Sequence, residues 1–136
     1  MPARDVLLVD DDANLLHGIC RSLRGQPFRL LTARSGEEAK AIIQSHPIGV
    51  IVCDERMPGQ SGTQLLAWIA RNCPEVVRIV LTGHTTPETT MRAINEGRVF
   101  RFFSKPCPPF DLAMAIREGL ELHESATEGD CALAPV

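Results

Sequence analysis

Polar side chains follow four separate apolar runs in this sequence of 136 residues, and their types suit one kind of chemistry. The runs and the residues that follow them are 6–9 with Asp10, Asp11 and Asp12, 50–53 with Asp54, 77–81 with Thr82 and Gly83, and 99–104 with Lys105 and Pro106. In an open parallel sheet, ligands bind outside the carboxyl ends of the strands, so we expect these side chains to converge in one crevice. Together they provide the groups of a metal-assisted site that accepts a phosphoryl group.

The carboxylates of Asp10, Asp11 and Asp54 predict a bound divalent cation. If they lie within about 5 Å of one another, each like-charge pair costs on the order of 3 kcal/mol at an effective dielectric constant of about 20. A cation offsets that repulsion, and ligands that are all oxygen suit Mg²⁺, with Mn²⁺ as the alternative. Mg²⁺ also keeps positions for water and phosphate oxygens, which fits a site that receives a phosphoryl group.

The other residues at the strand ends fit phosphoryl transfer. Asp54 is the candidate nucleophile, which would form an acyl phosphate as carboxylates do in covalent catalysis. Lys105 offers a positive charge, the Thr82 hydroxyl offers a hydrogen bond, and Gly83 leaves space for the group. Each of these residues, taken alone, is equally consistent with a structural role. Asp12, for example, is expected to cap a helix. The joint position of these residues at one sheet edge favours the site.

Short apolar runs alternate with amphipathic segments five times along the chain, which predicts five β–α units. Predicted strands cover residues 6–9, 28–32, 49–53, 76–81 and 99–103, and predicted helices include 13–24, 87–96 and 109–123. Because crossovers between parallel strands are right-handed, helices must cover both faces of the sheet. We therefore predict a doubly wound α/β domain over residues 1–124 and a C-terminal tail or linker over 125–136.

Composition argues against several other classes of protein. The net charge is −3 and basic residues form no stripe, so we expect no direct contact with nucleic acid. The apolar stretches are far shorter than the roughly 20 residues that cross a bilayer, and no signal peptide pattern is present, so we expect a cytoplasmic protein without membrane contact. The five cysteines lack the spacing of zinc sites. The histidines His17, His46 and His123 are expected to be exposed and without function.

At these motifs, the sequence resembles the receiver domains of two-component response regulators over about residues 4–123. The motifs that carry the resemblance are, in order, Val9-Asp10-Asp11, Asp54 with Met57-Pro58 and Gly62, Thr82-Gly83, and Lys105-Pro106. The resemblance implies a flavodoxin-like fold with five helices and five parallel strands in the order 2-1-3-4-5, as in the chemotaxis receiver. It also implies a cis peptide bond before Pro106, an isomer that is accessible only before proline.

The resemblance further implies how the carboxylates divide their work. Asp54 would accept the phosphoryl group from a phosphohistidine of a sensor histidine kinase or a phosphotransfer protein. Asp11 and Asp54 would bind Mg²⁺ through their carboxylates, and Asp10 would contribute largely through water. Arg56 would supply its backbone carbonyl.

The resemblance also implies a switch and an output surface. Lys105 and the Thr82 hydroxyl would each bind one phosphoryl oxygen, and Phe102 would be the aromatic residue that turns inward on activation. Phosphorylation would act by biasing an existing conformational equilibrium. The fourth helix, fifth strand and fifth helix would contact an output domain or partner protein, or form a dimer on phosphorylation. The segment 93–106 also resembles receivers that precede an HD-type cyclic-dinucleotide phosphodiesterase, a cyclase or another output domain, although residues 107–109 depart from that subset.

Two other functions stay open from the residues. A metal-dependent phosphatase would use Asp54 as nucleophile on an external substrate, but its usual Asp-x-Asp motif is missing after the first strand. A nucleotide- or flavin-binding protein of similar fold would need a glycine-rich loop where this sequence has Asp-Asp-Asp-Ala-Asn. We expect a signalling module that catalyses its own phosphorylation and dephosphorylation, and not an enzyme that turns over an external substrate.

Two neighbours of the site carry a hypothesis of their own. Arg56 lies two residues after Asp54, and His84 lies two residues after Thr82. In the family that the sequence resembles, these positions flank the path of the attacking water. Arg56 and His84 are therefore expected to tune the lifetime of the acyl phosphate, with Arg56 shielding it. The alternative is that both are solvated loop residues.

Overall fold

The computed structural model describes residues 5–83 and 86–132, with side chains described as far as residue 126. Within these residues, five β-strands alternate with five α-helices, as the apolar runs predict. The elements are β1 (Asp5–Val9), α1 (Ala13–Ser22), β2 (Arg29–Ala33), α2 (Gly36–Ser45), β3 (Ile48–Cys53), α3 (Gly62–Asn72), β4 (Val77–Thr82), α4 (Pro87–Gly97), β5 (Arg101–Ser104) and α5 (Pro109–Ala132).

The five strands form one parallel sheet in the order β2-β1-β3-β4-β5, which confirms the predicted fold. Strand β1 lies between β2 and β3, with Val9 opposite Cys53. On the other side of β3, β4 pairs with β5, and Thr82 is opposite Ser104. This register brings the residues that follow β1, β3, β4 and β5 to one edge of the sheet.

An apolar cluster on each face of the sheet holds the strands in place. Strand β3 is buried along its whole length, as a central parallel strand should be. Leu16 of α1 and Ile116 of α5 pack on one face, and Ile43 of α2 and Leu65 of α3 pack on the other. Each fully buried aliphatic side chain contributes about 1.5–3 kcal/mol. The strand ends that carry the candidate site therefore project from a rigid core.

Side-chain caps fix the first turns of four helices. Asp12 accepts hydrogen bonds from two backbone N–H groups of α1, so it caps that helix as the sequence predicts. Ser35 caps α2, and Ser61 and Thr86 each form a capping box at the start of α3 and α4. A cap of this kind contributes about 1 kcal/mol. All four caps lie in loops that follow a strand, at the sheet edge that carries Asp54.

Helix α5 is longer than the sequence indicated. It runs from Pro109–Ala132, whereas the predicted helix ended at residue 123, and that prediction of the helix end is wrong. Extending an existing helix costs little because nucleation is already complete. The segment 124–132, which contains two Ala and two Glu residues, therefore continues the helix without apolar periodicity. The division of the chain at residue 124 stays a prediction.

The burial of His123 also differs from the expectation of an exposed histidine. His123 is only 5% exposed, and its Nδ1 lies 2.6 Å from the backbone oxygen of Glu75. Since a carbonyl oxygen can only accept, Nδ1 is the donor in this bond. The bond ties α5 to the connection between α3 and β4. His17 and His46 are exposed, as expected.

We expect His123→Ala to lower the free energy of unfolding by about 2 kcal/mol, because it removes a buried hydrogen bond and leaves a cavity under α5. Urea denaturation measures this change. The matched control is His17→Ala on the exposed side of α1, which should change the free energy of unfolding by less than about 0.5 kcal/mol. Equal effects of the two substitutions would contradict a structural role for His123.

Candidate functional site

The ends of β1 and β3 bring two buried carboxylates together. The N–H of Asp54 donates to the carbonyl oxygen of Val9 at 3.0 Å, which continues the ladder beyond the strands. Asp10 and Asp54 are 5% and 6% exposed, whereas Asp11 is exposed. One carboxylate oxygen of each of these three residues lies within 4.8 Å of the other two. The structure thus gathers the three predicted carboxylates in one cluster.

Lys105 places a positive charge on this cluster. From the end of β5, its Nζ lies 2.8 Å from Oδ2 of Asp10 and 3.3 Å from Oδ2 of Asp54. Its backbone N–H donates to the carbonyl oxygen of Thr82 at 2.9 Å, and its peptide bond to Pro106 is cis. The lysine is therefore held at β4 by its backbone, and its side chain reaches past β4 to the ends of β3 and β1.

Burial and the neighbouring opposite charges shift the pKa values of Asp10 and Lys105 in opposite directions. Burial raises the pKa of Asp10 above its ordinary value, and the hydrogen bonds from Lys105 and Asp12 reverse only part of this rise. For Lys105, burial lowers the pKa, but the hydrogen bonds and charges of Asp10 and Asp54 outweigh it, so the pKa is raised. The Lys105 ammonium is consequently charged at neutral pH and can bind an anionic group.

One oxygen of Asp54 is buried without a protein partner. Its Oδ1 makes no hydrogen bond, and no other buried side-chain nitrogen or oxygen in the described part of the chain shares that state. A buried acceptor that lacks a partner costs about 1–3 kcal/mol, and more when it is charged. Such an atom marks a position for a ligand. An unpaired carboxylate oxygen among three carboxylates fits the oxygen-rich coordination that Mg²⁺ prefers.

Thr82 and Phe102, the two predicted switch residues, lie on neighbouring strands. Thr82 is fully buried at the end of β4. Phe102 lies on β5 opposite Val80 and packs, half-buried, against the apolar cluster on the face covered by α2 and α3. The two predicted switch residues therefore lie on adjacent strands, on the side of the carboxylate cluster where β4 and β5 pair.

An open cleft of about 770 Å³ adjoins the carboxylate cluster. Its lining includes Asp11, Gly83, Thr86 and the exposed residue Arg56. His84, the other predicted tuning residue, lies outside the residues that the structure describes. A larger cleft of about 920 Å³ between α2 and α3 contains none of the three carboxylates, so size alone does not mark the site.

Sequence reasoning missed two residues beside Asp54. Glu55 is buried, and its Oε2 accepts hydrogen bonds from the N–H and the hydroxyl of Thr63. A second acidic residue after Asp54 was the only signal in the sequence. Its partner lies eight residues further along, beyond a turn-rich loop, so no local periodicity connects the two.

This arrangement lies within a match to a known family. The response regulator receiver domain matches residues 6–117, which include every residue of the cluster and Lys105. The chain belongs to this family. The resemblance drawn from the sequence motifs is therefore confirmed, and the chain is a phosphoacceptor signalling module of two-component systems. Receiver domains use Mg²⁺ at an acidic pocket, and the cluster of this receiver domain has the ligand types for it.

This receiver domain is similar to chains from a transcriptional regulatory protein, an HD domain-containing protein and an adenylate cyclase. The hydrogenase transcriptional regulatory protein HoxA of Cupriavidus necator is 37% identical over 116 residues, which cover 85% of this chain and 24% of HoxA. The signal receiver domain of an HD domain-containing protein from Pseudomonas fluorescens Pf-5 has a TM-score of 0.89 and 31% identity, and the match covers 94% of each chain. The structure of an adenylate cyclase from Rhodopirellula baltica has a TM-score of 0.89 and 38% identity, and the match covers 98% of this chain and 99% of the other.

Proposed function

We propose that Asp54 of this receiver domain accepts a phosphoryl group from a sensor histidine kinase or a phosphotransfer protein. The observation that carries the proposal is the unpaired, buried Oδ1 of Asp54 within a cluster that also contains Asp10 and Asp11. A carboxylate oxygen of Asp54 attacks the phosphorus of a phosphohistidine, the P–N bond breaks, and the histidine nitrogen leaves with the bonding electrons.

Four residues would hold Mg²⁺ for this reaction. They are Asp10, Asp11 and Asp54 through their carboxylates, with Asp10 acting largely through water, and Arg56 through its backbone carbonyl. When bound, Mg²⁺ neutralises charge that develops on the phosphoryl oxygens, and Mn²⁺ is the alternative ion. Lys105 binds one phosphoryl oxygen through its ammonium, which already lies at the Asp54 carboxylate. The Thr82 hydroxyl binds another.

The signal leaves through α4, β5 and α5, with Thr82 and Phe102 as the switch. Large apolar side chains on α4 and α5 are exposed there, including Met91, Ile94 and Phe110. Contacts of this type suit an output domain, a partner protein or a second phosphorylated copy of the chain.

We propose that the chain binds neither nucleic acid directly nor a membrane, and that the protein is located in the cytoplasm. Within the described residues, no helix has both the length and the apolar character that crossing a bilayer requires.

Incubation with acetyl phosphate and Mg²⁺ tests the proposal. We expect intact mass spectrometry to show one added phosphoryl group per chain, which hydroxylamine removes because it cleaves acyl phosphates. EDTA should prevent the labelling, since the cluster then lacks its cation. Peptide mapping should place the modification at Asp54. Labelling that resists EDTA, or that maps to another residue, would contradict the proposed site.

The phosphatase alternative makes a different prediction for the same protein. An enzyme acting on an external substrate would hydrolyse a small phosphomonoester with steady turnover that is lost in Asp54→Asn. We propose instead that the chain catalyses only its own phosphorylation and dephosphorylation. Release of less than one equivalent of phosphate per chain from p-nitrophenyl phosphate, under conditions that label Asp54 with acetyl phosphate, is the expected result.

The Arg56 side chain is proposed to shield the acyl phosphate from water, with His84 as a second tuning residue. Arg56→Ala keeps the backbone carbonyl, so Mg²⁺ binding should persist while dephosphorylation becomes severalfold faster, on the order of 1 kcal/mol in the barrier. Loss of the label after removal of acetyl phosphate measures this rate. The matched control is Arg24→Ala, because Arg24 is an exposed arginine just beyond the C-terminal end of α1. Unchanged rates in both Arg56→Ala and His84→Ala would exclude the tuning role.

A further inference from the structure

Glu55 differs from its acidic neighbours because its carboxylate is not part of the metal cluster. The residue is 9% exposed and directly follows Asp54. Its Oε2 lies 2.6 Å from the Thr63 hydroxyl and 3.0 Å from the Thr63 N–H, and both groups donate to it. Thr63 is itself 1% exposed and lies in the first turn of α3. We call this pair the Glu55–Thr63 clamp.

A second set of contacts closes the same loop. The N–H of Gly62 donates to the backbone oxygen of Glu55 at 2.8 Å. A side chain at position 62 would overlap the backbone carbonyl of Asp54, so the start of α3 is packed directly on the peptide that follows the phosphoacceptor. The two ends of the segment 55–62 are therefore joined to each other twice. One connection is the backbone hydrogen bond between Gly62 and Glu55, and the other is the Glu55–Thr63 clamp.

Hydrogen-bond donors at the start of α3 compensate the charge of the Glu55 carboxylate. A buried carboxylate is unfavourable unless donors compensate it. The first turn of α3 supplies the Thr63 N–H and the positive end of the helix dipole, and the Thr63 hydroxyl adds a short bond. An apolar side chain would fill the space without these donors. The negative charge therefore serves to bind the loop to the helix.

We propose that Glu55 is a positioning residue for the metal site, acting through the Glu55–Thr63 clamp. The clamp, with the bond from Gly62 N–H to the Glu55 oxygen, fixes the two peptide units on either side of Glu55, which carry the carbonyls of Asp54 and Glu55. The Arg56 carbonyl belongs to the peptide unit that follows them. The clamp thereby holds the Arg56 carbonyl and the Asp54 carboxylate in place before Mg²⁺ arrives, as partners of metal ligands do in other proteins. This inference rests on the proposed function, because the Arg56 carbonyl is assigned as a ligand there.

Thr63→Val is the test substitution, because valine has nearly the same shape as threonine and lacks the hydroxyl that donates to Glu55. We expect the dissociation constant for Mg²⁺, measured from amide NMR signals of the unphosphorylated protein, to rise about tenfold. Thr63→Ser keeps the hydroxyl and should remain within about twofold of the wild type. In acetyl phosphate labelling, the Mg²⁺ concentration at half the maximal rate should rise in parallel, whereas the rate at saturating Mg²⁺ should change by less than about twofold.

Ile116→Val controls for a general loss of stability. Ile116 of α5 is fully buried in the apolar cluster on the face of the sheet opposite to α3. The substitution lowers the urea midpoint without altering the loop, so its Mg²⁺ affinity should equal that of the wild type. If Ile116→Val weakens Mg²⁺ binding as much as Thr63→Val does at a matched loss of midpoint, the clamp is only a stabilising contact and the proposal is overturned.

The remaining outcomes distinguish a failure of the positioning role of Glu55 from a failure of the proposed phosphoacceptor function. If Thr63→Val binds Mg²⁺ like the wild type, or if Thr63→Ser binds it as weakly as Thr63→Val, the clamp is overturned while the phosphoacceptor role stands. If the wild type binds Mg²⁺ and Thr63→Val binds it tenfold more weakly, but acetyl phosphate labels neither, the clamp stands and the proposed function fails. If the wild type shows no Mg²⁺ binding, both are overturned.

Discussion

We expect Asp54→Asn to abolish labelling by acetyl phosphate and to remove most of the stabilisation that Mg²⁺ gives to the folded protein. The amide is a far weaker nucleophile and a weaker metal ligand than the carboxylate whose Oδ1 is unpaired in the structure. A ligand that binds only the folded state stabilises it by about 2.7 kcal/mol at a concentration 100 times its dissociation constant. We expect the wild type to gain about this much and the variant to gain little.

Urea denaturation with and without Mg²⁺ measures this effect, and Asp12→Asn is the matched control. Asp12 is the neighbouring acidic residue that caps α1, and asparagine caps a helix as well as aspartate does. Asp12→Asn should keep both the labelling and the Mg²⁺-dependent gain in stability. If Asp12→Asn loses the gain as Asp54→Asn does, the general negative charge of the region binds Mg²⁺, and Asp54 has no special place among the ligands.

We expect Lys105→Met to lower the free energy of unfolding of the metal-free protein by about 2 kcal/mol at neutral pH. Its Nζ contacts Asp10 at 2.8 Å and Asp54 at 3.3 Å, so removal of the ammonium leaves two buried carboxylates without their counter-charge. Loss of one partner from a fully buried pair costs about 3–5 kcal/mol, and partial exposure of Lys105 reduces this figure. Saturating Mg²⁺ should recover most of the loss, because the cation replaces the missing positive charge.

The loss in Lys105→Met should shrink as the pH falls. Burial already raises the folded-state pKa of Asp10 above its ordinary value of 3.8, and removal of Lys105 raises it further. Between the unfolded and folded pKa values the folded state binds more protons, so its stability rises as the pH falls through that window. The raised pKa of Lys105 keeps its contribution fully present in the wild type at neutral pH.

Urea denaturation in EDTA at a series of pH values measures the effect, with Lys40→Met as the control. Lys40 of α2 lies over the ring of Trp68 of α3, in the cleft between these helices that contains none of the three carboxylates. Its substitution should change the free energy of unfolding by less than about 1 kcal/mol, without the dependence on Mg²⁺. A loss in Lys105→Met that is independent of both Mg²⁺ and pH would exclude its role as the counter-charge of the cluster.

The two predictions share a physical origin. Asp10, Asp11 and Asp54 are held within 4.8 Å, which is unfavourable for the folded chain by itself. The core of buried strands keeps them there, and Lys105 compensates only part of the repulsion. Binding of Mg²⁺ releases this unfavourable energy, so the affinity of the site derives from the stability of the fold. A site of this kind is a local exception to the pattern in which every buried polar group has a partner.

Much of the candidate site was predictable from the sequence because it lies where predictable elements end. The apolar run 50–53 places Asp54 after a central strand, and the same logic places Asp10, Thr82 and Lys105. Once parallel strands are assumed, their carboxyl ends share one edge, so residues far apart in the sequence must meet. The spacing of these motifs was also sufficient for the resemblance to the receiver family, which supplied the strand order that pattern alone left open.

The sequence by itself thus determined the fold class and the four strand ends, because hydrophobic periodicity and terminal polar residues are local signals. Only the tertiary structure decided how the ends are joined. The Glu55–Thr63 clamp, the contact of His123 with the Glu75 carbonyl, and the unpaired Oδ1 of Asp54 all depend on atoms brought together by packing. No local pattern encodes such contacts, since each needs two segments to have folded before its partner exists.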